Sequence, residues 1–142
     1  MELKGSKRIE IVGISDKRQI TALFCGTITG EFLPFQLIYQ GKTAACLPKT
    51  QFPDDWHVTC TDNHWSNEET MKLYIDKIIL PYVQSKRREL KLPADYPALA
   101  IFDVFKGLQT GNVISLLERN NIYAVDIPAN CTDKLQPMDN SC

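Results

Sequence analysis

The chain has 142 residues, 44% hydrophobic and 23% charged, which is the make-up of one ordinary soluble globular domain, without internal repeat or low-complexity tract. A formal net charge of -1 excludes a uniformly basic domain that grips nucleic acid by bulk electrostatics, but leaves room for a local basic patch or a metal-assisted phosphate site. The five cysteines, Cys25, Cys46, Cys60, Cys131 and Cys142, have no CxxC or His-paired spacing, which weakens zinc and redox readings. Their odd number, with no leader peptide, fits reduced thiols in cytosol or nucleus. No apolar run reaches membrane-spanning length, so no membrane partner is expected.

Lys4-Gly-Ser-Lys-Arg8 reads as a solvated basic end, Ile9 to Val12 as a short edge strand, and Ser15 to Arg18 as a turn. Gln19 to Thr29 is rich in β-branched residues and closes at Gly30-Glu31; Phe32 to Tyr39 is the next apolar run. Two such runs across a glycine-containing turn predict an antiparallel hairpin, with Pro34 near a strand start or at an edge because it cannot donate to a ladder. Thr43 to Asp62, with Pro48, Pro53 and mixed polarity, reads as an irregular connection. In it Trp56 is expected to pack down on the core. His57 and His64 lack partners at metal-ligand spacing, and neither is assigned as a ligand.

Ser66-Asn-Glu-Glu69 is a helix start: Ser66 can cap the third helical amide while Glu69 reaches back. Met71, Tyr74, Ile75, Ile78, Ile79, Tyr82 and Val83 then form one apolar stripe. The phase runs through Pro81, which predicts a kinked helix rather than two, ending near Leu90 before Pro93. Lys86, Arg87, Arg88 and Lys91 crowd its last turns and read as a solvated, dipole-compensating end, with contact to a DNA backbone as the sharper alternative.

Ala98 to Phe102 is an unbroken apolar run that ends in Asp103. It reads as a strand buried on both faces, with a carboxylate at the rim where open α/β sheets put their ligands. Val113, Leu116 and Leu117 give Asn112 to Asn120 one helical face, and Ile122 to Ile127, interrupted by Asp126, reads as a second strand. Strand, helix, strand predicts a βαβ unit with a parallel pair. A polar connection then leads to a helix with Asp139 near its start. One crossover would bring Asp139 back beside Asp103. Two carboxylates at one rim stay ionised only with a compensating cation, and oxygen-only ligands favour magnesium or manganese over zinc. Two such ions roughly 3.5–4 Å apart can cleave a phosphodiester. An aspartate after a strand is more often a plain loop cap, so spacing alone does not decide.

Ile101-Phe-Asp-Val-Phe-Lys-Gly107, together with Pro128-Ala-Asn-Cys-Thr-Asp-Lys-Leu-Gln-Pro-Met-Asp139, resembles the catalytic core of DDE-superfamily transposases, in particular the pogo/Tigger branch of the mariner-related elements. Lys4 to Gly13, Asp16 to Ile20 and His64 to Thr70 resemble the same group, so the likeness runs through nearly all of 1–142. The resemblance implies a ribonuclease H-like fold, a mixed α/β sheet flanked by helices, and metal-dependent cutting and joining of transposon DNA ends. It matches Asp103 to the second catalytic carboxylate and Asp139 to the third. Both become ligands of Mg2+ or Mn2+, with water or a DNA 3′-hydroxyl as nucleophile.

The chain also departs from the pattern. The family's first catalytic Asp lies on a strand upstream of the Lys4–Gly13 match, and no Asp in the first fifteen residues replaces it. That strand is central in the fold, between the hairpin and the Ala98 strand, so its loss predicts a gap in the sheet. Val104 and Leu108 stand where many relatives carry polar residues. The helix-turn-helix region and the C-terminal helix are outside the matched segments. The resulting expectation is a partial, nuclear DDE core that is inactive alone, binds DNA and dimerises in a full-length protein. The alternative is a transposon-derived remnant that binds nucleic acid or protein without catalysis.

Overall fold

A computed structural model describes residues 19–103 and 110–128. The described residues divide into two compact units, one running up to Ser66 and the other starting at Asn67. The expected edge strand at Ile9–Val12 and the turn after it, Ser15 to Arg18, lie outside the described residues, as does Asp139.

In the first unit, β1 (Ile20–Leu23) pairs antiparallel with β2 (Gln36–Gln40), Ile20 opposite Tyr39 and Leu23 opposite Gln36. This is the predicted hairpin, with shorter strands. Beyond Leu23 the ladder is reduced to a Gly26–Phe32 bridge, and the chain reverses with Gly30 N–H donating to the Thr27 carbonyl (3.0 Å). Gly30 has φ +90°, a conformation open to glycine at little cost. Pro34 falls just before β2, where no ladder N–H is needed. The expectation of an irregular stretch from Thr43 to Asp62 is corrected. His57–Thr61 forms β3, parallel to β2 with Gln36 opposite His57, and Ala44–Cys46 forms a 3-10 turn. Val58, Thr59 and Thr61 are β-branched and suit a pleated surface; the preceding prolines hid them. Placing β2 between two strands buries Gln36 to Tyr39. Gly41 follows directly, and a Cβ there would collide with the Cys46 side chain. Trp56 packs down as predicted, its ring 4.8 Å from Phe35 and stacked on Phe52.

The second unit opens with one uninterrupted helical run, α1 (Glu68–Tyr74), a wide π turn (Ile75–Ile79) and α2 (Leu80–Glu89). Its cap is one residue later than predicted. Asn67, not Ser66, accepts from the Thr70 amide (2.9 Å), and the Thr70 hydroxyl accepts from the Asn67 amide (2.9 Å). Asn and Thr close the same reciprocal box as Ser and Glu, and Thr70 is buried. Met71, Tyr74, Ile75, Ile78 and Ile79 form the buried stripe. Ahead of Pro81 the helix widens, with Leu80 N–H donating to the Ile75 carbonyl. Proline cannot donate and its ring crowds the carbonyl four residues back, which the wider turn relieves. The helix ends at Leu90 with Lys91 left-handed (φ 56°), Leu92 N–H reaching the Arg87 carbonyl (2.8 Å) and Lys91 N–H the Arg88 carbonyl (3.1 Å), which is a Schellman closure.

β4 (Ala98–Phe102), α3 (Gly111–Arg119) and β5 (Ile122–Asp126) make the predicted βαβ unit, with β4 and β5 parallel and Phe102 opposite Asp126. Val113 and Leu117 of α3 and Ile122 of β5 are fully buried. Burial of β4 on both faces is corrected. Ala98, Ala100 and Phe102 are half-buried, but Leu99 and Ile101, and their neighbours Tyr123 and Val125, are exposed (Leu99 64%, Tyr123 60%). The sheet has two strands among the described residues and one open face. No helix there is long and apolar enough to cross a membrane.

Candidate functional site

A parallel pair sets both strand ends on one rim. β4 delivers Asp103, which is exposed, directly after Phe102. The β5 chain leaves alongside it, Ile127 N–H donating to the Phe102 carbonyl (2.9 Å). The chain that leads on to Asp139 thus sets out from the rim that carries Asp103. Asp139 itself lies outside the described residues, so the two predicted ligands are not seen together.

Among the described residues a second acid stands at this rim. Asp126 ends β5 opposite Phe102 and is exposed. It reads from sequence as a residue that interrupts a strand. The signal that singles out Asp103, an acid at the carboxyl end of a parallel strand, applies to it equally. Among the described residues no group of three or more His, Cys, Asp or Glu side chains is placed to hold a metal ion.

α3 runs back from the rim, and its first turn is tied to α1. Asn112 donates to the Glu68 carboxylate (2.8 Å), which also meets Lys72 (3.2 Å). The Asn112 hydrogen bond, then that from Lys72, then one from Thr110 hold the Glu68 carboxyl below its ordinary range. Glu68 is thereby committed to joining two helix starts, and its negative charge suits both.

The basic cluster is partly corrected. Arg87 is buried (7% exposed), not solvated. Its Nε donates to the Tyr96 carbonyl (2.8 Å), Nη1 to that of Ala94 (2.7 Å) and Nη2 to that of Asn120 (2.9 Å). It pins the α2–β4 connection and the end of α3. Lys86 meets Glu89 (3.3 Å) and lies 5.8 Å from the centre of the Tyr82 ring. In the other unit, the buried Gln36 amide is 2.8 Å from His57 Nδ1, and His64 Nδ1 is 3.3 Å from the Thr21 hydroxyl.

The family described as DDE superfamily endonuclease matches residues 17–142, a span that includes both Asp103 and Asp139. No curated protein and no solved structure matches the chain.

Proposed function

The chain belongs to the DDE superfamily endonucleases, and from that premise we propose that it is part of the core of a metal-dependent DNA transposase that cuts and joins strands. Its mixed α/β architecture is compatible with a ribonuclease H-like fold. The observation that carries the reading is Asp103 at the rim of a parallel pair whose second strand sends the chain toward Asp139 from the same end. We further assign the chain to the pogo/Tigger branch, on the Asn130 to Asp139 pattern, and place its work in the nucleus, on transposon ends and target DNA, as a homodimer when full-length.

The donors fit the ion. The acids at the rim among the described residues, Asp103 and Asp126, offer hard carboxylate oxygens, which suit Mg2+ or Mn2+ rather than zinc. When bound, a pair of such ions activates a water or a 3′-hydroxyl and steadies the leaving oxygen. Asp103 and Asp139 would hold and orient the ions, and no covalent bond to the protein forms. We ascribe the remaining carboxylate of the family's set to an upstream strand, so these 142 residues alone should bind metal weakly and not turn over.

Two measurements test this. Mn2+ titrated into the chain should broaden the side-chain resonances of Asp103 and Asp139 together; broadening of one alone, or of neither, overturns the shared site. DNA carrying transposon ends should not be nicked with Mg2+ or Mn2+. Robust nicking that is lost in Asp103→Ala would show that the chain needs no further carboxylate. Binding of that DNA, unchanged by Asp103→Asn with Asp139→Asn and with no metal dependence, would favour the binding-module reading.

A further inference from the structure

The βαβ unit carries a second feature, on the far side of β5 from β4. The hydrogen bonds at the two ends of the β4–β5 ladder, Ala98 N–H to Asn121 C=O (3.0 Å) and Ile127 N–H to Phe102 C=O (2.9 Å), fix its phase. In a parallel ladder with that phase, Tyr123 and Val125 turn their amides and carbonyls to β4. Ile122, Ala124 and Asp126 turn theirs outward. Ile122 is buried, while Ala124 and Asp126 are exposed. The open edge of β5 is therefore short and centred on Ala124.

A groove runs along this edge, between β5 and α3. It is lined by Ile114, Leu117, Glu118, Tyr123, Ala124 and Asp126 and encloses about 120 Å³. That is well below the ~300–1,000 Å³ of small-molecule sites and suits one side chain. Its floor is apolar and its lip carries two carboxylates, Glu118 and Asp126. Among the described residues neither is in an ion pair. The nearest cation along α3, Arg119, directs Nε to the Ser115 carbonyl (3.3 Å). An edge merely guarded against aggregation needs charge, not an apolar slot beside exposed main chain.

From this juxtaposition we infer that β5 is a docking edge for a short extended peptide bearing lysine or arginine two residues from an aliphatic one, so that both side chains fall on the α3 face. The peptide adds to the edge through the Ala124 N–H and C=O and the Asp126 N–H. Its aliphatic side chain enters the groove over Leu117, and its flanking cations meet Glu118 and Asp126. The metal ligands assigned above are Asp103 and Asp139; Asp126 is common to the rim and the groove, so the Mn2+ titration and the peptide titration test the two readings separately.

The test uses the full chain, labelled for amide shifts, and three synthetic probes: the capped peptide Lys-Thr-Val-Thr-Lys, its glutamate-for-lysine counterpart, and versions of the first N-methylated at successive residues. The lysine peptide should move the Ala124 and Asp126 amides and bind at least tenfold tighter than the glutamate one. Glu118→Gln with Asp126→Asn, both at exposed positions, should weaken it about three- to tenfold and bring the two peptides close to equal. N-methylation at alternate residues should abolish binding. Equal binding of the two peptides, indifference to N-methylation, shifts at Leu99 and Ile101 on the β4 edge instead, or no binding at millimolar peptide would each overturn the inference.

Discussion

Arg87 satisfies three carbonyls that would otherwise lose their partners inside the second unit. Lysine keeps the charge but cannot span the three, because its donors leave one point rather than a planar fork. Arg87→Lys should therefore cost about 3 kcal/mol, the scale of hydrogen bonds to a buried charged group, read as a lower urea midpoint at unchanged slope. Glu68 supplies a pH-dependent contribution. Its folded-state carboxyl titrates below the ordinary value, so its stabilisation is present above that value and is lost as pH falls through the depressed one. Acid unfolding of Asn112→Ala, followed by circular dichroism, should show a shallower loss of stability with falling pH than the parent chain. At this scale the sequence was readable where one residue does one job. Asp103's place at the rim was visible because it directly follows an apolar run that forms a parallel strand. The helix cap was misplaced by one residue because Ser66, Asn67, Glu69 and Thr70 all have capping chemistry and only the backbone chooses between them.

Elements were legible where a single period rules. The hairpin, the long helix and the βαβ unit all appear where alternation or the 3.6-residue stripe put them. β3 was missed because its five residues are half-buried throughout and follow two prolines, so neither period shows. Arg87 was missed for a different reason. Continued as a straight α-helix, the stripe through Met71 and Ile78 leaves Arg87 on the far side. The π turn takes up one extra residue and rotates everything after it by ~100°, and this brings Arg87 onto the buried side. At the end of α2, Lys91 holds a left-handed conformation that costs a side-chain-bearing residue about 1–2 kcal/mol. Lys91→Gly should raise stability by about 1 kcal/mol, seen as a higher urea midpoint.

For the molecule as a whole, family membership was legible because the Asn130 to Asp139 pattern and the strand-Asp at Asp103 occur together. The exposure of one sheet face was not, since an unbroken apolar run looks the same whether one face or both are covered. Leu99, Ile101, Tyr123 and Val125 form a contiguous apolar face, of the kind that drives association. Leu99→Thr with Val125→Thr should reduce concentration-dependent light scattering while leaving the helical circular dichroism unchanged. The wide turn ahead of Pro81 has a last consequence. It behaves like an offset cut into a screw thread. Deleting one exposed residue there, Asp76 or Lys77, would restore an even pitch and keep every downstream part facing what it must engage, because the wide turn already absorbs that residue. A chain that keeps both its helicity and its cooperative melting is the expected product, checked by circular dichroism on heating.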